Sequence, residues 1–409
     1  MKSGLHLPCI FPLSPFLRIY MRKLPSAVIL LGTVSLLNDM ASDMIMPLLP
    51  VFLTATLGAG PAILGLIEGV AESTASLLKL WAGRLGDGGV GHKPLAVTGY
   101  ALSNLVRPLL SVAGSWGVVM AVRFADRAGK GLRTSPRDAL VSGSVNADQR
   151  GQAFGLHRAM DHTGAFIGPL LASGLLAYGL TMQQVFLASV VPGVLAVVLL
   201  VFGLRPARAV KQRITPPPLQ WSLLHPRLRA MVITAGSLAL VAVPDAFLIL
   251  WLGQQGVTLF WIPIIWAFAH AVRALVALPT GHWSDRFGRV PVVLVGWSVR
   301  ALLLISLPFV SHPAAVVTMF FLYAASTAAT EGAERAVIGD FAGKGAQGTA
   351  FGLYNMMVGL LALPGALWFG AVWEFFGMTM AFVISGGLTV CVAFALYLLT
   401  RTPQPINNS

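Results

Sequence analysis

The chain has 409 residues, 56% of them hydrophobic and 11% charged, with a mean hydropathy of +0.77 and a formal net charge of +13. A soluble domain carries about 25% charged residues, so a water-soluble globule is excluded. The basic surplus lies in scattered short loops, not in a tail or run that would grip nucleic acid, and Cys9 and Cys391, at opposite ends, offer neither a disulfide framework nor a CxxC metal site.

Residues 1–26 read as a cytoplasmic N-terminal tail. The Pro-rich first 20 residues match neither a cleavable signal nor a lipobox, and Met21-Arg22-Lys23 is the more natural start. Apolar windows of about 20 residues then recur, the length a helix needs to cross a bilayer. Barrel strands would instead alternate polar and apolar over about 10 residues. Twelve windows are bounded by Gly, Pro and charge: 27–55, 61–82, 94–113, 116–139, 151–177, 182–203, 228–253, 258–281, 292–311, 313–339, 348–372 and 378–400. The expected fold is an all-α membrane protein of twelve transmembrane helices in two pseudo-symmetric six-helix bundles, 27–204 and 228–400. The basic, Pro-rich stretch 205–227 is the cytoplasmic linker between them, and 401–409 a cytoplasmic tail.

Lys and Arg set the orientation. Arg84, Lys93, Arg150, the central linker, Arg286, Arg289 and Lys344 occupy connections on one side, whereas "GAG", "GSW", "TMQQ", "GQQGV", "SHP" and "EFFG" on the other carry no Lys or Arg. Basic loops stay in the cytoplasm, so both termini are expected there. The halves repeat one another: "GQAFGL" and "GTAFGL" lie at an offset of 197, which also superposes "TSPRDALVSG" on "EGAERAVIGD". Asp43 in "DMASDMIMP" is matched to Asp245 in "LVAVPDAFL". Parallel repeats of this kind describe a carrier with its site between the halves.

Four motifs carry a family resemblance. "GHWSDRFGR" resembles the cytoplasmic loop signature of the major facilitator superfamily through Gly281, Asp285, Arg286, Gly288 and Arg289. The first-half copy, "GRLGDGGVG", keeps Gly83 and Asp87, with Gly88 in place of the Arg and Val90 in place of the second Gly. "DMIMPLLP", from Asp43, resembles the first-helix pattern of twelve-span drug/proton antiporters. "RFADRAG" resembles their fourth-helix pattern at Arg123, departing where Arg127 replaces a Gly. In "GLHRAMDHTGAFIGPLLAS", Gly155, Gly164, Gly168 and Pro169 match the antiporter fifth-helix pattern. The resemblance implies that the loop motifs latch helix ends in one conformational state. Independently, the glycines admit a neighbouring backbone and Pro169 removes a backbone donor, favouring a bend.

An Asp, Lys or Arg at the bilayer centre costs roughly 2.5–3.5 kcal/mol on insertion scales, so buried charge needs partners or water. Asp39 with Asp43, and Glu68 with Glu72, are spaced to share a helix face. Arg123, Asp126, Arg127, Lys130, Arg133 and Arg137 form one polar stripe; His157, Arg158 and Asp161 are neighbours, and His162 points elsewhere. The second half adds Asp245, His270, Arg273, Arg300, Glu331, Glu334 and Arg335. Lys79, Arg133, Arg137 and Asp138 are expected to snorkel or pair near the cytoplasmic end, and Arg107 to snorkel outward. Arg300, mid-helix on an expected peripheral helix, has no evident role.

The expected proton-coupling and substrate cavity comprises Asp43, Glu68, Glu72, Arg123, Asp126, Arg127, Asp161, Asp245 and Glu331. A dry pocket strengthens a carboxylate's hold on its proton and a nearby Arg weakens it, so Asp43, Glu72 and Asp161 are candidate proton carriers with Arg123 as switch partner. There is no GxxxxGK[ST] loop, HExxH or GxSxG. The expected protein is therefore no enzyme but a secondary active transporter, exporting small organic molecules by proton-coupled alternating access. The alternative is a proton-coupled importer of an anionic metabolite or chelate held by Arg123, Arg127, Lys130 and Arg158. No metal or cofactor is expected, the proton gradient being the energy source. The expected partners are a small-molecule substrate, protons and the lipid bilayer, with no nucleic acid. The chain is expected to work as a monomer, multi-pass in a cell membrane of the bacterial inner-membrane kind.

Overall fold

The computed structural model describes residues 24–86, 90–146, 149–204, 226–341 and 347–401. Helix occupies every window read from the sequence, and the described residues contain no strand. The expected linker lies outside the described residues except for its last two positions, which already begin a helix at Pro226.

α1 (Ser26–Asp43) opens into turns at 44–48 and resumes as Leu49–Val51 and a π-helical stretch, Phe52–Thr56. Pro47 has no N–H to close on the Asp43 carbonyl, which ends the first segment there. α2 is Pro61–Leu85; α3 is His92–Val106, tightened by Pro108 into the 3-10 stretch Arg107–Val112; α4 is Trp116–Gly143. α5 is Arg150–Ala177, and α6 comprises Met182–Ala188 and Val190–Gly203. In the second half α7 comprises Pro226–Val241 and Asp245–Gln254, broken before Pro244. α8 (Trp261–Phe287), α9 (Arg289–Ser306, then 3-10 at Leu307–Phe309), α10 (Pro313–Phe341), α11 (Gln347–Phe376) and α12 (Met378–Arg401) complete the chain.

Among the described residues, nine helical spans are long and apolar enough to cross a membrane by length and composition. α1, α4 and α5 are not among them. α1 is diluted by Asn38, Asp39 and Asp43, while α4 and α5 carry the charged stripes. The least apolar helices are thus those holding most of the first half's charge.

The packing repeats between halves. α1 lies on α5 and α6 as α7 lies on α11 and α12; α4 lies on α2 and α3 as α10 lies on α8 and α9. Two seams join the halves, α2 on α11 and α5 on α8. Gly168 faces the Met40 carbonyl of α1, and Gly365, 197 positions on, faces the Ala239 and Leu240 carbonyls of α7. The glycine pattern therefore seats α5 on its own half, not on the opposite one.

The two ends of the molecule differ. At the end bearing the basic connections, called here the basic end, each half keeps its own core. Val28, Leu31, Tyr100, Val141 and Leu200 form one; Met231, Val293, Trp297, Val337 and Leu396 form the other. At the opposite, neutral end one continuous core spans both halves, with Phe52, Leu64 and Phe186 packed in the same cluster as Trp251, Phe320, Phe369 and Trp373. The Ala62 N–H donates to Glu374 Oε2 at 2.8 Å, and Ser173 Oγ to the Phe260 carbonyl at 2.8 Å, so both seams are tied there. The apolar core is thus continuous across the halves at the neutral end and divided between them at the basic end.

Two loop glycines share a backbone conformation, which realigns the first motif copy on the second. Gly288 stands at φ +93°, a backbone region L side chains rarely adopt, and Asp285 pairs with Arg289 at 2.6 Å. In the first half Gly91, not the residue at position 90, takes the equivalent conformation at φ +90°. The first copy has one extra residue rather than a lost glycine. Asp87, the acid of that copy, lies outside the described residues.

Candidate functional site

Three charged clusters lie among the helices. The first joins α1, α2, α3 and α4. Arg123 Nη2 meets Glu68 Oε1 at 2.6 Å and its Nη1 stands 3.9 Å from Asp126 Oδ2. Arg107 Nε pairs with Asp126 Oδ1 at 2.8 Å, and Arg107 Nη1 donates to the carbonyl and Oδ1 of Asn38 and to Asn104 Oδ1. Arg107 is 4% exposed. It does not snorkel outward: the turn into the 3-10 stretch aims it inward, where it neutralises Asp126. The Met46 thioether, freed by the break in α1, accepts from Arg123 Nη1 and Arg127 Nη2 at 3.2 and 3.5 Å.

The second cluster straddles the halves. Trp266 Nε1 donates to Asp43 Oδ1 at 3.2 Å, and His270 Nε2 is 3.8 Å from the same oxygen. Arg273 lies over the Trp266 ring and binds Asp245 Oδ1 at 3.2 Å. Trp266, His270 and Arg273 share one face of α8 by their spacing. Asp43 closes the first segment of α1 and Asp245 opens the second segment of α7, so the matched aspartates flank equivalent breaks from opposite sides.

The third cluster sits at the basic end of α5. His157 Nδ1 approaches Asp161 Oδ2 at 3.3 Å, and Arg158 Nη1 at 3.8 Å. His157 is buried, whereas the Arg158 side chain is 56% exposed and the His162 residue is also exposed. Asp161 is thus set apart from the cluster around Arg123, and Arg158 does not belong to a pocket with Arg127. Arg137 pairs with Asp138 at 2.8 Å and donates to Ser35 Oγ. Arg133 donates to Ser103 Oγ at 3.1 Å beneath the Tyr100 ring. Arg133 and Arg137 are both buried, so α4 holds them by packing and hydrogen bonds, not by snorkelling.

Arg300 has an account once the repeat is laid over it. In the first half Ser103 on α3 accepts from Arg133 on α4; in the second, Arg300 on α9 donates to Thr330 on α10 at 2.9 Å. Positions 103 and 300, and 133 and 330, differ by the repeat offset, so the arginine–hydroxyl contact is kept with its sides exchanged. One step on, Trp297 Nε1 donates to Glu334 Oε1 at 2.7 Å. Glu334 is the buried carboxylate of α10, while the expected Glu331 is exposed and Glu72 likewise. Sequence reasoning missed Asn38, Asn104 and Trp266, which carry no charge, and set Arg107 aside as a side chain that snorkels outward. No group of three or more His, Cys, Asp or Glu among the described residues is placed to hold a metal ion.

Residues 31–277 and 261–409 match the family model of the Major Facilitator Superfamily. The chain belongs to the major facilitator superfamily. It is 30% identical over 367 residues to an uncharacterized MFS-type transporter of Methanocaldococcus jannaschii, covering 86% of this chain and 90% of the relative. It is 25% identical over 346 residues to the multidrug resistance protein MdtH of Salmonella arizonae, covering 82% and 83%. The solved structure of a mutant of the nucleoside transporter NupG superposes with a TM-score of 0.77 over 92% of this chain and all of that one, at 14% identity, a likeness of fold. This superfamily member is a multi-pass membrane transporter and not an enzyme.

Proposed function

We propose that this transporter exports small organic molecules in exchange for protons. The observation carrying the reading is Asp43, a carboxylate at the seam, held by Trp266 of the opposite half at 3.2 Å. A group bonded across the seam changes its surroundings whenever the halves move, and with them its hold on a proton. Arg123, bridging Glu68 and Asp126, keeps the adjacent charge compensated while Asp43 changes state. The positive-inside bias supports a basic end in the cytoplasm, with the chain in a cell membrane of the bacterial inner-membrane kind. The units 27–204 and 228–400 then rock as two bodies within a monomer. A sequence without a phosphate-binding loop fits a proton gradient as the energy source, with no cofactor. Likeness to a multidrug resistance protein supports the outward direction.

Purified protein in vesicles tests the coupling. An imposed pH gradient is expected to drive substrate flux, and Asp43→Asn to lower the driven component by about tenfold or more. Substrate carried without any response to the gradient would sink the reading. The direction is read from a resistance-and-uptake panel in a strain lacking its main carriers, where the wild type is expected to lower accumulation.

A further inference from the structure

α4 carries basic residues at 123, 127, 130, 133 and 137, and they are not equally engaged. Arg123 has Glu68, Arg133 has Ser103 and the Tyr100 ring, and Arg137 has Asp138 and Ser35. Arg127 and Lys130 have no oxygen partner among the described residues. Arg127 is 9% exposed; its Nη2 meets only the Met46 thioether, a weak acceptor, and its buried Nε has no partner. Lys130 lies three residues on, along the same face, with no hydrogen bond or ion pair to its ammonium group. Two neighbouring acids are already in use, Glu68 on Arg123 and Asp126 on Arg107. Glu72 stands within Coulombic reach of both cations without a hydrogen bond to either.

The seam opposite shows the same imbalance. His270 Nε2 and Arg273 Nε of α8 are buried without a hydrogen-bond partner. A buried N–H without an acceptor is costly, and a native structure rarely tolerates several together without a ligand or water to answer them. The Nε–H groups of Arg127 and Arg273 are donors in any protonation state. An acceptor-rich solute fits them, and a planar guanidinium beside an ammonium suits a carboxylate or phosphate.

We propose that Arg127 and Lys130 form the acid-binding subsite of this carrier, and that its solutes are organic anions bearing a carboxylate or phosphate. The inference rests on the transport reading for its setting but not on the direction of transport.

Four probes sharing one ring, benzoate, phenyl phosphate, benzamide and benzylamine, separate charge from shape. Their binding is measured on the detergent-solubilised full chain by titration calorimetry. An anionic probe is expected to bind about tenfold or more tightly than the neutral and cationic ones. Arg127→Gln and Lys130→Gln are each expected to lose that preference, and Arg158→Gln to keep it. Arg127→Lys, which retains the charge, shows that a loss in Arg127→Gln is not misfolding if it holds part of the preference. No preference for either anion, or a preference unchanged in both glutamine variants, overturns the proposal. Benzoate against phenyl phosphate distinguishes the two acids. Gradient-driven flux of the same probes in vesicles separates the two readings. Driven benzylamine flux without anion binding removes the acid subsite and leaves the carrier. Anion binding without any response to the gradient does the reverse.

Discussion

Arg107 and Arg158 are both arginines in predicted spans, and their environments are opposite. Arg107 is enclosed and satisfied by Asp126, Asn38 and Asn104; Arg158 leans on Asp161 from a largely exposed position. Removing one partner of a buried pair strands the other charge, at about 3–5 kcal/mol. Exposed substitutions away from special features stay within about 0.5 kcal/mol. Arg107→Ala is therefore expected to lower the thermal unfolding midpoint of the detergent-solubilised protein sharply, and Arg158→Ala to leave it nearly in place. Similar midpoints for the two variants would mean that the Arg107 pair carries no such weight.

At the scale of the element, α5 shows that a motif's members need not share a role. A side chain at Gly164 or Gly168 would run into the backbone carbonyls of Leu36 or Met40, and such backbone cannot move aside as a flexible side chain can. Gly155 has open space around it. Overpacking costs typically about 1–3 kcal/mol, whereas alanine is favoured over glycine inside a helix by about 1 kcal/mol. Gly168→Val is expected to reduce the yield of monodisperse protein and its thermal midpoint, and Gly155→Ala to hold or raise the midpoint. A well-behaved Gly168→Val protein would contradict the close seating of α5 on α1. Loop glycines differ again: Gly91 and Gly288 hold a positive φ at the start of α3 and α9, so their requirement is conformational and not one of space.

For the whole molecule, the decisive contrast is one shared core at the neutral end against two separate cores at the basic end. Glu374 of the second half accepts from the first turn of α2, where free N–H groups favour a carboxylate. The proposed rocking of the two halves requires this contact to open. With Cys9 and Cys391 replaced by Ser, a cysteine pair installed as Ala62→Cys and Glu374→Cys is expected to cross-link on oxidation, stop flux, and recover on reduction. Full flux through the cross-linked protein would mean that the neutral end does not have to part.

Several features were legible in the chain because they are local. Window length and hydropathy marked the spans. The spacing of 197 between "GQAFGL" and "GTAFGL" marked the repeat, and Pro47 and Pro244 sit where α1 and α7 break. Charge at helical spacing marked α4 as the polar helix. The choice of partner was not local. Periodicity places Arg133 and Arg127 on one stripe but does not say that one meets a serine and the other only a thioether. Nor does it reveal that Arg300 answers Arg133 with the sides exchanged, or that uncharged Asn38, Asn104 and Trp266 complete the clusters. Those outcomes depend on helix rotation and on which neighbour comes within about 3 Å, the range in which a hydrogen bond forms. Only packing of the two halves against each other sets that distance.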